Sequence, residues 1–166
     1  MSDLKEYNNF LPDEEFKKLQ NLIFHLDFPW RIRKHMTISD QNIYFTHSFF
    51  SNNTVNSEYY NEYMIPILTK LKCVSPIEIR ANMFLNKLFE KSGWHTDFQF
   101  NNHSSNITAI LYLNNCNGGT ELKIKDKIKF VKAEENKMLI FDSNTEHRVC
   151  TSTDIDKRYI INLNYF

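Results

Sequence analysis

Gly93-Trp94-His95-Thr96-Asp97 is the stretch from which the rest of the chain can be read. It carries two metal-ligand side chains at i and i+2. Alternate residues of a β-strand share a face, so the spacing predicts that His95 and Asp97 point into one cavity. A third candidate ligand, His147, lies 147 − 97 = 50 residues on, in Asn144-Thr145-Glu146-His147-Arg148-Val149. Arg158 follows 158 − 147 = 11 residues later. Two imidazoles and a carboxylate on one face of a metal ion leave the opposite positions open to other ligands. An arginine deeper in the cavity can hold a carboxylate by two parallel hydrogen bonds.

His-x-Asp alone is a weak signal, and its ordered companions give it weight. Arg80-Ala81-Asn82-Met83 precedes the pair. Tyr112-Leu113-Asn114, Gly118-Gly119-Thr120-Glu121-Leu122 and Leu139-Ile140-Phe141-Asp142 follow it, and Arg158-Tyr159-Ile160-Ile161-Asn162-Leu163-Asn164-Tyr165-Phe166 closes the chain. This order resembles the iron(II)/2-oxoglutarate-dependent dioxygenases, and within them the prolyl-4-hydroxylase-like branch. The Arg80–Met83 stretch and the Asn-Tyr-Phe ending look like its compact bacteriophage-encoded members. The resemblance spans about residues 74–166.

The resemblance implies a double-stranded β-helix (jelly roll). It implies Fe(II) on His95, Asp97 and His147, with 2-oxoglutarate and O2 as co-substrates and ascorbate as a supporting reductant. Arg158 would pair with the far carboxylate of 2-oxoglutarate, and Tyr112 would assist it through its hydroxyl. Asn82 and Asn162 are further pocket candidates. The reaction implied is oxidative decarboxylation of 2-oxoglutarate to succinate and CO2, coupled to oxidation of a substrate. Halogenating relatives lack the carboxylate ligand, so Asp97 favours hydroxylation or a related oxidation. The step from His147 to Arg158 is slightly longer than in many relatives, which places extra residues in the Thr151–Asp156 turn.

Composition sets the bounds. The chain has 166 residues, enough for one domain with its own core. It is 42% hydrophobic, with 14 Phe and 8 Tyr, which fits a packed protein rather than a disordered one. Lys and Arg (20) balance Asp and Glu (20), so no global charge draws it to nucleic acid or to an anionic membrane. Cys73, Cys116 and Cys150 lack metal-motif spacing and are expected as reduced, packed thiols. The polar start Met1-Ser2-Asp3-Leu4-Lys5-Glu6 predicts no secretory leader, and no run is long and apolar enough to span a membrane. The expectation is a cytoplasmic enzyme, in a bacterial host cell if phage-encoded. Its substrate would be a small molecule or a protein side chain.

Residues 1–73 are expected to form a helical support region with one strand, and 74–166 the β-helix core. Leu11-Pro12-Asp13-Glu14-Glu15 starts a helix, with proline and acids suited to its first turn. Phe16, Leu19, Ile23 and Leu26 then recur at helical spacing. Arg31, Arg33, Lys34 and His35 form a basic cluster, either a solvated face or a contact for an anionic substrate. Ile43–Phe49 is rich in β-formers. Ser57 can cap a second helix running to about Lys72, which Pro66 would kink. Both helices are expected outside the sheet.

From Pro76 the period changes to two. Ile77, Ile79, Ala81, Met83 and Leu85 alternate along one strand. Ile107–Asn114, Glu121–Lys125, Lys127–Lys132, Lys137–Asp142, His147–Cys150 and Lys157–Phe166 are the other predicted strands, with turns at Gly118-Gly119 and Asp126. On the last, Tyr159, Ile161, Leu163 and Tyr165 share a face that would pack under the helices. Arg158, Ile160, Asn162 and Asn164 share the other, which would line the barrel. Thr108, Ile110 and Tyr112 line it likewise. Lys123, Lys125, Lys127 and Lys129 read as a solvated, aggregation-resistant edge. His103, just after the metal pair, is a candidate substrate contact. Two other readings compete: a cupin-like dioxygenase without 2-oxoglutarate, and a non-catalytic jelly-roll binding module.

Overall fold

The two-residue alternation along the last strand decides how the layers stack. The computed structural model describes residues 4–34, 42–86, 90–97 and 106–166, so His35 and His103 lie outside the described residues. In chain order the elements are β1 (Lys5–Tyr7), α1 (Asp13–Phe24), β2 (Arg31–Lys34), β3 (Ile43–Ser51) and β4 (Thr54–Val55). A π-helical turn (Tyr60–Met64), α2 (Ile65–Leu71), β5 (Pro76–Leu85) and β6 (Ile107–Tyr112) follow. The chain ends with β7 (Gly119–Ile124), β8 (Lys127–Lys132), β9 (Lys137–Asp142), β10 (His147–Cys150) and β11 (Lys157–Tyr165).

Among the described residues the large sheet runs β1-β9-β6-β11-β5-β3-β2, with β4 paired to β3, and the small sheet runs β10-β7-β8. Every pairing is antiparallel. This is the expected jelly-roll arrangement, two antiparallel sheets sandwiching a core.

Two cores follow from the alternation. On one face of the large sheet Ala109, Leu111, Ile161 and Leu163 pack against Phe16, Leu19 and Ile23 of α1 and Ile67 and Leu68 of α2. On the other face Tyr44, Phe84, Ile110, Tyr112 and Ile160 meet Leu122, Val131 and Val149 of the small sheet. The central strands of the large sheet are thus buried on both faces, which explains why they carry apolar residues at both parities.

The support region departs from expectation in two places, and its second helix is interrupted near the expected proline. It contributes four strands rather than one, because the short segments β1, β2 and β4 each find an edge to pair with. Leu26 does not continue the helix face: α1 ends at Phe24, and Leu26 is 95% exposed. The second helix is divided at Pro66. Lacking an N–H and crowding the carbonyl four residues back, proline cannot continue a regular α-turn from upstream, and the π-helical turn takes its place.

Gly118-Gly119 is not a turn requiring positive φ, since no described glycine has one. Close approach explains both residues. A Cβ on Gly119 would lie 2.1 Å from the Val131 carbonyl oxygen, and one on Gly118 2.8 Å from that of Cys150. The hairpin turns at Lys125-Asp126, with Lys125 at φ 54°. Beyond it β8 is an edge strand, and Lys127 and Lys129 are exposed on it, as the lysine alternation predicted.

Ile161 is fully buried where β11 meets the helices. Ile161→Ala should cost about 2–5 kcal/mol in urea unfolding, whereas Val74→Ala, on a side chain 87% exposed, should stay within about 0.5 kcal/mol.

Candidate metal centre

The segment bearing His95 and Asp97 is extended, but among the described residues it is joined to the small sheet by isolated bridges rather than as a full strand. His95 and His147 exchange backbone hydrogen bonds of 3.0 and 2.8 Å, and the Asp97 N–H donates to the Ser143 carbonyl at 3.2 Å. These bonds set the two histidines face to face, with ring centroids 4.4 Å apart. Phe141 closes on the His147 ring edge-on at 4.9 Å.

One ligating atom each from His95, Asp97 and His147 lies within 4.8 Å of the other two. The three predicted ligands are therefore brought together. The hydrogen bonds around them sort the atoms. His95 Nδ1 lies 3.1 Å from the Gly93 carbonyl, and His147 Nδ1 lies 2.9 Å from that of Thr145. A carbonyl can only accept, so both Nδ1 atoms carry the proton and both Nε2 lone pairs stay free. His147 Nε2 faces Asp97 Oδ1 at 3.7 Å.

The other Asp97 oxygen is tied down. Oδ2 accepts from Thr108 Oγ1 at 2.9 Å and from Asn164 Nδ2 at 2.8 Å. Thr108 Oγ1 gives its one proton to Asp97 and accepts from Asn164 at 2.9 Å and from Ser143 Oγ at 2.9 Å. Its hydrogen-bonding capacity is thereby filled. Such partners orient a ligating carboxylate and leave its second oxygen for a metal.

Electrostatics point the same way. Burial works to raise the Asp97 pKa, but His147, the Asn164 amide, His95 and the Thr108 hydroxyl together hold it below the ordinary carboxylate value. Burial pushes His147 down, outweighing the pull of Asp97, and so favours neutral imidazole. A metal needs these protonation states of its ligands.

The cluster opens on a cavity of about 330 Å³. Asn82 and Asn162 border it as predicted, and so do Arg33, Tyr44, Glu78 and Arg80. At the apolar part of its wall are Phe84, Ile110, Val149 and Ile160, together with Thr120. Arg158 and Tyr112 do not border the open cavity. They stand behind this wall: the Arg158 guanidinium lies 4.9 Å from the Phe84 ring centroid, and the Tyr112 hydroxyl donates to Thr120 Oγ1 at 2.7 Å. Burial pushes the Tyr112 pKa up to about 12, so it stays a neutral donor.

Arg158 is 0% exposed, and NH1 donates to the Gly119 carbonyl at 2.9 Å. Nε and NH2 have no hydrogen-bond partner among the described residues. Burial depresses its pKa, yet guanidinium remains the charged form. A buried cation with two idle donors fits a carboxylate ligand. The donor set of two imidazoles and one carboxylate fits ferrous iron.

Arg148, next to His147, turns the opposite way. It pairs with Glu121 at 2.7 Å and lies 4.3 Å from the Trp94 ring centroid. Asn164, Thr108 and Ser143 had no assigned role in the sequence reading. The first two share parity with Arg158 and Tyr112, which was the available signal, whereas Ser143 gave none. Arg33 joins the cavity wall, so one member of the basic cluster faces the site.

Comparisons with known proteins agree with this geometry. The model of the 2OG-Fe(II) oxygenase superfamily matches residues 81–166. No curated protein matches the chain. Among solved structures, a Pseudomonas putida prolyl-4-hydroxylase superposes with a TM-score of 0.75 at 13% identity, covering 99% of this chain and 93% of that one. A prolyl hydroxylase from Trichoplax adhaerens, in complex with a hypoxia inducible factor peptide fragment, gives 0.70 at 16%, covering 98% and 83%. The epimerase SnoN, in complex with Fe3+, alpha ketoglutarate and nogalamycin RO, gives 0.71 at 10%, covering 99% and 79%. These three share the fold. Among the described residues no helix is long and apolar enough to cross a membrane. With more than half its length matched by the family model, the chain belongs to the 2OG-Fe(II) oxygenase superfamily, enzymes that use Fe(II), 2-oxoglutarate and O2.

Proposed function

We propose that this oxygenase is a hydroxylase in which His95, Asp97 and His147 hold the iron and Arg158 anchors 2-oxoglutarate. The observation that carries the reading is the three-ligand cluster beside a cavity, with the unsatisfied Arg158 guanidinium behind its wall. We read residues 1–166 as one oxygenase domain, with 1–73 supporting the β-helix core of 74–166. Free thiols at Cys73, Cys116 and Cys150 fit the reducing cytoplasm that ferrous iron needs.

When bound, iron and 2-oxoglutarate supply the oxidation: O2 and the keto acid are consumed, succinate and CO2 leave, and a substrate C–H becomes C–OH. The chain's own residues position the reactants. The two Nδ1–H donors fix the rings so that Nε2 faces the metal position. Thr108 and Asn164 hold Oδ2 of Asp97 and leave Oδ1 to bind. Arg158 offers Nε and NH2 as a planar fork to a carboxylate that reaches past Phe84 and Thr120. Tyr112 can redirect its hydroxyl proton from Thr120 to the same carboxylate. The apolar wall of Ile110, Val149 and Ile160 limits water near the reacting centre. The substrate is a small molecule or an exposed protein side chain that enters the cavity beside the metal ligands. Succinate release dependent on iron, 2-oxoglutarate and substrate tests the assignment.

Anaerobic iron titration followed with circular dichroism separates ligands from supporting residues. Each of His95→Ala, Asp97→Ala and His147→Ala should abolish stoichiometric iron binding with the fold retained. Asn164→Ala should weaken it by about 10–100-fold, because Oδ2 loses one of its donors. Wild-type affinity in any ligand variant removes that residue from the centre.

The concentration of 2-oxoglutarate needed for half-maximal succinate release tests the anchor. Arg158→Ala should raise it by on the order of 100-fold, a loss of about 3 kcal/mol. Arg158→Lys should keep iron but raise it less, since an ammonium lacks the fork. Tyr112→Phe should cost about 1 kcal/mol. Arg148→Ala, facing outward, should leave it nearly unchanged. A large effect at Arg148 with none at Arg158 would contradict the strand register.

A further inference from the structure

The wall away from Arg158 has a polarity that the iron and 2-oxoglutarate do not use. Along β5 the cavity-facing residues run Phe84, Asn82, Arg80, Glu78, from apolar to charged. Across the ladder Arg80 stands opposite Asn162, as Phe84 stands opposite Arg158. The sheet therefore presents two arginines to the site, one behind the apolar wall and one bordering the open cavity.

Arg80 is only partly satisfied. Its NH2 lies 3.3 Å from Glu78 Oε2, and the two side chains are 12% and 14% exposed. Its buried Nε has no hydrogen-bond partner among the described residues, and the same holds for buried Oδ1 of Asn162. The first is a donor awaiting an acceptor, and the second an acceptor awaiting a donor. They project from directly opposed residues, whose Cβ atoms stand about 5 Å apart. Arg33 borders the same cavity from β2, opposite Tyr44, and Arg33 and Arg80 against Glu78 leave one net positive charge on its wall.

An acceptor and a donor on neighbouring atoms, carrying a carboxylate and an ammonium, complement this set. The carboxylate would meet Arg80, with Arg33 adding positive charge to the wall, and the ammonium would meet Glu78 and the Asn162 side-chain oxygen. The cavity of about 330 Å³ would also take the metal and the keto acid beside it, which leaves room for a compact substrate only. We propose that the Arg33–Glu78–Arg80–Asn162 wall is a zwitterion subsite and that the substrate is a free α-amino acid. This rests on the hydroxylase reading above and narrows its substrate class.

The test uses wild-type protein with iron and 2-oxoglutarate, challenged with each standard L-amino acid. Parallel arms use the N-acetyl and methyl-ester derivatives, the matching 2-hydroxy acids, and short blocked peptides. At least one free amino acid should stimulate succinate release, with an oxidised amino acid formed in step by mass spectrometry. Its N-acetyl and methyl-ester forms should be weaker by roughly tenfold or more, the loss of one charge-assisted hydrogen bond. Arg33→Gln and Glu78→Gln should each raise the KM for that amino acid by roughly tenfold, and Arg33 is exposed, so its replacement does not threaten the fold.

Wild-type protein that binds 2-oxoglutarate but responds to no free amino acid, or responds better to blocked peptides or 2-hydroxy acids, overturns the zwitterion subsite and leaves the hydroxylase reading standing. Failure to bind 2-oxoglutarate overturns both. Should Arg80→Gln abolish 2-oxoglutarate binding while the amino acid still binds, Arg80 is the co-substrate anchor and the subsite assignment is wrong.

Discussion

The carboxylate of Asp97 is where the two sheets are joined at the site. Its Oδ2 is held by Thr108 of β6 and Asn164 of β11, both on the large sheet. Two residues earlier, His95 is bonded through its backbone to His147 of the small sheet. A buried anion is tolerated only when donors replace the water it has lost. Here Thr108 and Asn164 do so on one oxygen, and the other is left facing the imidazoles. The same arrangement that makes burial of the charge possible also fixes the ligand geometry.

Arg158 is the counter-case. It is among the largest fully buried side chains, and one carbonyl bond does not satisfy five donors. Stacking on Phe84 recovers part of the lost solvation. The remainder is a standing cost, which on the proposed reading a carboxylate of the co-substrate would offset. Stability given up at this position is what prepares the site for a carboxylate, a common trade between fold and function. Asp97 and Arg158 thus differ: one oxygen of the anion is held by two protein donors, while the cation keeps two donors without a partner among the described residues.

Much of this was legible in the sequence because period two is easy to follow. Alternation along Lys157–Phe166 assigned both faces of β11, including the one bearing Arg158, Asn162 and Asn164. By the same parity Arg148 faces away from its neighbour His147, where it meets Glu121 and Trp94. What parity cannot give is depth. It placed Arg158 and Tyr112 on the inward face but not behind Phe84 and Thr120, which depends on how the small sheet packs over the large one. Nor could it show that Asn164, rather than Asn162, would reach Asp97. The Pro66 kink was foreseen, but its resolution as a π-helical turn depends on local hydrogen bonding. The short strands β1, β2 and β4 were missed because two to four residues carry too little periodicity, and they become strands only when an edge is there to pair with.

The central claim is that this centre binds iron and 2-oxoglutarate together. The most direct measurement is anaerobic titration of the Fe(II)-loaded wild-type protein with 2-oxoglutarate, following the visible charge-transfer band that a keto acid chelated to ferrous iron produces. The account predicts a saturable band reaching one equivalent per chain, absent when succinate replaces 2-oxoglutarate. Stoichiometric iron binding with no band at any 2-oxoglutarate concentration would contradict it.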